Sequence, residues 1–68
     1  MRVKYFRDTD TALLEFSTGL VDETREISEH VYVDLDDRGN LVSMTIEHAA
    51  DLAQLPQVIL EEIGGAAA

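Results

Sequence analysis

The sequence predicts an α+β domain: an antiparallel four-stranded β-meander with a short C-terminal helix packed on one face. Three observations predict it. Apolar residues alternate with polar ones at Ala12–Phe16, Val31–Leu35 and Leu41–Glu47, the period-2 pattern of half-buried strands. A tight-turn signal, Asp36-Asp37-Arg38-Gly39-Asn40, separates the last two runs. After His48 the period changes to one that suits a helix. Strands that come first and a helix that comes last argue α+β rather than alternating α/β.

The elements follow in order. Val3–Phe6 reads as a first short strand with Val3 and Tyr5 on one side, and Arg7-Asp8-Thr9-Asp10 as a polar turn. In the second strand Ala12, Leu14 and Phe16 face one way, Leu13 and Glu15 the other. Residues 17–23 break the pattern at Gly19 and Asp22 and read as a loop, and Thr24–Ile27 as a brief extended segment. Val31, Val33 and Leu35 share a face opposite Tyr32 and Asp34. Gly39 can take the positive φ that closes a tight hairpin. Val42, Met44 and Ile46 then oppose Ser43, Thr45 and Glu47. Residues 49–54 suit one helical turn. Pro56 fits a helix start, Val58, Ile59 and Ile63 make its apolar stripe, and Gly64-Gly65 ends it. Ala66–Ala68 reads as a frayed tail. The helix covers the face built from Ala12, Leu14, Phe16, Val31, Val33, Leu35, Val42, Met44 and Ile46. Arg2 and Lys4 on the first strand discourage edge pairing.

Sixty-eight residues form a single domain, 1–68. A chain this short buries only about 60% of the surface its unfolded form exposes, so its core is small. Cysteine is absent, which removes disulfides and thiolate metal sites as reinforcement and leaves self-association. Hydrophobic residues make up 46% of the chain and charged residues 28%, a globular composition. The N-terminus carries no apolar stretch of a signal peptide, and no run approaches the roughly 18 apolar residues of a membrane span. The expectation is a soluble, cytoplasmic protein. The net charge of −9 is uneven: residues 26–68 hold nine acids against one base, Arg38. That field repels phosphate backbones and anionic lipid, so neither nucleic acid nor membrane is an expected partner.

A likeness accompanies these features. Tyr5, Asp8 and Asp10, the strand to Ser17, Glu23-Thr24-Arg25-Glu26, Val31–Asp36, Gly39, Leu41–Ile46 and Leu55-Pro56 occur in that order. The chain resembles the small prokaryotic domain-of-unknown-function family 2283, with His48 and Ser43 as departures from its pattern. The resemblance implies no activity, cofactor or catalytic residue. Members look like free-standing domains, some encoded beside small toxin-like proteins, which implies an antitoxin-like or partner-binding role.

The chemistry-bearing motifs fail on geometry. Asp34-Leu35-Asp36-Asp37-Arg38-Gly39 imitates the start of a calcium loop, but Arg38 stands at the third ligand position and Thr45 at the twelfth, where a bidentate Glu is required. His30 and His48, with Glu29 and Glu47 beside them, sit next to carboxylates that a strand turns to the opposite face. Ser28-Glu29-His30 holds the residue types of a hydrolase triad, but three consecutive residues cannot make one. Ser17 and Ser43 have no base. No glycine pattern cradles a phosphate, and Tyr5, Phe6, Phe16 and Tyr32 are not interleaved with bases as a stacking platform needs. No cofactor and no enzyme activity are expected. Leu13 and Tyr32, read as lying on adjacent strands opposite the core with Phe6 near them, form a candidate contact patch, beside the acids Asp34, Asp36 and Asp37. The expectation is a non-enzymatic interaction module that forms a homodimer through this second face or an exposed edge, or binds a basic protein. The alternative is a small-ligand or metal-binding protein or a minor enzyme.

Overall fold

A computed structural model describes residues 1–65; the expected frayed tail, Ala66–Ala68, lies outside them. The described residues form five strands and one helical turn: β1 (Arg2–Phe6), β2 (Thr11–Glu15), β3 (Glu23–Ser28), β4 (Val31–Leu35), β5 (Leu41–Glu47) and α1 (Ala49–Ala53). All strands join one antiparallel sheet in the order β1-β2-β5-β4-β3. The four-stranded meander is thus corrected twice. The brief segment at 24–27 is a full strand, and β2 lies against β5 rather than β4.

Side-chain character explains that order. Every residue of β3 is exposed, so β3 serves as an edge. β2 carries Ala12 and Leu14, which need neighbours on both sides, and β5 supplies one of them: Ala12 pairs Ile46 and Leu14 pairs Met44. Residues 16–22 must then pass three strand spacings, about 14 Å, which seven residues span easily. The crossing is tied down as it goes. Phe16 and Ser17 N–H both donate to the Val42 carbonyl at 2.8 and 3.2 Å, and Asp22 N–H to the Leu35 carbonyl at 2.8 Å.

Register separates two faces. Directly paired residues point the same way, so face 1 collects Val3, Tyr5, Ala12, Leu14, Val31, Val33, Met44 and Ile46. Face 2 collects Arg2, Lys4, Leu13, Glu15, Thr24, Glu26, Tyr32, Asp34, Ser43, Thr45 and Glu47. The core lies on face 1, where Ala12 and Ala49 are wholly buried and Leu55 is 7% exposed, with Tyr5, Leu14 and Ile46 against them. Val33, Leu35 and Val42 are also buried, but Leu14, Phe16, Val31, Met44 and Ile46 are only half-buried.

The helix expected over Pro56–Ile63 does not form. Among the described residues helical structure is confined to α1, and 58–65 have no regular structure. Eight residues with three β-branched side chains make a marginal helix unless a surface receives them. Here none does: Ile59, Leu60 and Ile63 are 84–88% exposed. The Leu55–Pro56 peptide is cis, and Gln57 N–H closes a turn on the Gln54 carbonyl at 3.1 Å.

Candidate functional site

Face 2 carries the residues that the sequence singled out. Leu13 and Tyr32 are not on adjacent strands: Thr45 of β5 stands between them in one cross-strand row, Lys4–Leu13–Thr45–Tyr32–Glu26. Both are half-buried, and Phe6, 49% exposed, shares their face. The next row is Arg2–Glu15–Ser43–Asp34–Thr24. There Asp34 accepts hydrogen bonds from the Thr24 and Ser43 hydroxyls, each at 2.6 Å. Lys4 Nζ lies 2.9 Å from Glu15 Oε1. That ammonium holds the Glu15 carboxyl below the usual range.

Tyr32 is the aromatic centre of this face. Its hydroxyl donates to the Glu29 carbonyl at 3.4 Å. The negative field of Glu47, then partial desolvation, then Glu26 and Glu29 push the phenol's pKa up. Three carboxylates, from β3, the β3–β4 turn and β5, thus lie near enough to the Tyr32 hydroxyl to act on it.

Two of the three acids beside the patch, Asp34 and Asp36, are engaged within the fold. Asp34 joins β3 to β5 through the two hydroxyls. Asp36 folds the hairpin, accepting from Asn40 N–H at 2.8 Å, Arg38 N–H at 2.9 Å and Asn40 Nδ2 at 3.2 Å. These bonds, led by that from Asn40 N–H, lower its pKa. The turn closes with Gly39 at φ 82°. The loop that imitates a calcium site is thus an Asx-type turn whose carboxylate is occupied by its own backbone. Asp37 makes no side-chain bond among the described residues.

The opposite end of the sheet holds contacts that the sequence did not reveal. Asp10, at φ 51°, accepts from the Tyr5 hydroxyl at 2.6 Å and from Ala50 N–H at 3.0 Å, while its carbonyl accepts from Ala49 N–H at 2.9 Å. The Tyr5 bond chiefly lowers the Asp10 pKa and raises that of Tyr5. His30 and His48 meet edge to face with ring centroids 4.6 Å apart. His30 Nδ1 lies 3.5 Å from Glu47 Oε1, and Nε2 lies 3.9 Å from Glu29 Oε2. On a strand, alternation would part His30 from Glu29 and His48 from Glu47, but His30 sits in a turn and His48 takes a left-handed conformation, φ 54°. Even so, no group of three or more His, Asp or Glu side chains is arranged to hold a metal ion among the described residues. A shallow hollow of about 290 Å³ lies at the sheet's other end, lined by Met1, Arg2, Glu15, Phe16, Ser17 and Thr18. No helix among the described residues is long and apolar enough to cross a membrane.

With this geometry in view, a family model described as protein of unknown function (DUF2283) matches residues 2–49. The chain belongs to that family. The match spans the whole sheet and ends at the first residue of α1, so the DUF2283 unit is the five-stranded sheet itself. No curated protein and no solved structure matches the chain.

Proposed function

We propose that this DUF2283 domain is a non-enzymatic interaction module whose face 2 receives a basic protein. One observation carries the reading: Tyr32 lies half-buried on face 2, with Glu26 directly opposite it on β3 and Glu47 and Glu29 near enough to act on its hydroxyl. An aromatic face edged by carboxylates suits a lysine or arginine side chain, which gains from the ring's quadrupole and from the anions together. Asp37 and the surplus of acids in residues 26–68 add long-range attraction for such a partner. A domain that neutralises a small basic protein, in the manner of an antitoxin, needs no more machinery than this.

Low-salt affinity capture from the native host tests it. The expected result is one or a few basic proteins, retained at about 0.01 M salt and released as the Debye length contracts toward 10 Å at about 0.1 M. Tyr32→Ala should speed dissociation, and Glu26→Gln with Glu47→Gln should slow association. Tight binding of DNA or RNA at about 0.15 M salt, or capture that Tyr32→Ala leaves unchanged, would sink the reading.

A further inference from the structure

The segment that follows Leu55 carries four exposed aliphatic side chains. Val58, Ile59, Leu60 and Ile63 are 60%, 84%, 86% and 88% exposed. Beyond Gln57, no hydrogen bond ties 58–65 to the rest of the described chain. Yet the segment is rooted at the core, because Leu55 is buried against Ala12 and Ala49. On the sheet, Leu14, Met44 and Ile46 of face 1 remain half-buried, Val3 is 37% exposed, and no large side chain is fully buried.

Areas indicate what is missing. A compact monomer of this mass exposes about 4,300 Å², whereas this chain exposes 5528 Å². The excess, roughly 1,200 Å², is more than the ~800 Å² that each partner contributes to a standard-sized interface. The radius of gyration agrees: 14.0 Å, against about 11 Å for a compact chain of this length.

We infer that residues 57–63 form an arm that packs on face 1 of a second copy, with the second copy's arm returning the contact. The arm supplies aliphatic side chains that are 60–88% exposed in their own copy. Face 1 supplies Val3, Leu14, Met44 and Ile46, which α1 and Leu55 leave partly exposed. A two-fold pair makes each contact twice and then closes, so two copies satisfy both arms. The nine residues from Gln57 to Gly65 reach up to about 30 Å, enough to cross the roughly 24 Å width of five strands. This inference does not depend on the basic partner, which uses the other face. Salt should separate the two: association of chains that each carry −9 should tighten as charge is screened, whereas a basic partner should loosen.

Sedimentation equilibrium at micromolar to 100-micromolar chain decides the first part. The expected mass is about 15 kDa, twice the 7.6 kDa of one chain. The double variant Ile59→Ser, Leu60→Ser should sediment as a 7.6 kDa monomer with an unchanged far-ultraviolet spectrum. A wild type that stays monomeric throughout, or a double variant that stays dimeric, overturns the inference. A crosslink decides whose arm lies on whose sheet. The chain has no cysteine, so a Val3→Cys chain can be mixed with an Ile63→Cys chain and oxidised. A mixed crosslinked dimer supports exchange. If a chain carrying both substitutions instead closes on itself as a monomer, the arm covers its own sheet and the inference fails.

Discussion

Residues 49–55 (AADLAQL) and residues 57–65 (QVILEEIGG) follow one another in the chain, and the second segment holds the larger aliphatic side chains. Only the first is held. Ala49 and Ala50 donate to Asp10, Leu52 N–H reaches the His48 carbonyl at 2.9 Å, and Leu55 N–H reaches the Ala49 carbonyl at 3.2 Å. Ala49 and Leu55 then disappear into face 1. Hydrophobicity alone did not decide the outcome. Backbone donors captured by a residue 40 positions away fix the path of the first segment, and small side chains let it approach the sheet closely. The second segment has no such anchor.

Removing the anchored side chain should break this contrast most severely. Leu55→Ala is expected to cost about 2–5 kcal/mol, because it empties a packed site; in so small a domain that approaches the whole stability. Urea unfolding followed by circular dichroism measures it, and a midpoint close to wild type would mean that Leu55 is not part of the core.

Asp10→Ala tests the anchor itself and should lower the melting temperature by freeing both Tyr5 and α1. The pH profile isolates the charge. The folded-state pKa of Asp10 is lowered, as are those of Glu15 and Asp36, so their stabilisation is present above the ordinary carboxylate range and lost as pH falls through and below it. The folded-state pKa of Tyr5 is raised, so its contribution is present below the ordinary phenol range and lost as pH rises through the folded value. Stability should therefore form a plateau between about pH 5 and pH 9. Asp10→Asn should make the acid side of that plateau shallower. An identical acid limb in wild type and variant would remove the carboxylate from the account.

Smaller effects are expected farther from the anchor. Gly39→Val should cost roughly 1 kcal/mol or more, since a β-branched residue resists a left-handed φ; unaltered urea stability would contradict the left-handed conformation of Gly39. Ile59→Ser should change unfolding by no more than about 0.5 kcal/mol at concentrations where the chain is monomeric, as at any surface site that packs on nothing. A large loss in that dilute regime would place Ile59 in its own copy's core and erase the contrast.

The same contrast marks how far the sequence could be read. Strands β2, β4 and β5 were legible because Ala12/Leu14, Val31/Val33 and Val42/Met44/Ile46 alternate, and the turn was legible because Asp36 and Gly39 have specific backbone uses. β3 was read as only a brief segment because an edge strand with all six residues exposed has no apolar period to show. The pairing of β2 with β5 joins residues some thirty apart, and no local pattern encodes it. The helix at 56–63 was read into a stripe that is apolar but unreceived. At the candidate site, Leu13, Tyr32 and Asp34 do share face 2, as alternation required. That Asp34 and Asp36 are engaged within the fold, and that His30 meets His48, depended on tertiary contacts.

The placement of β5 also dictates when the fold can exist. It is the middle strand, paired with β2 on one side and β4 on the other, and it ends only at Glu47. Until it is present, the chain consists of two separate hairpins, β1–β2 and β3–β4. A lone two-stranded ribbon is at best marginal in water. A nascent chain halted before Leu41 would therefore show both hairpins unprotected against hydrogen exchange. Synthesis of the seven residues Leu41–Glu47 joins them at one stroke. Assembly order in this small sheet is set by its latest strand, and a substitution in β5 should slow folding more than one of equal cost in β1 or β3.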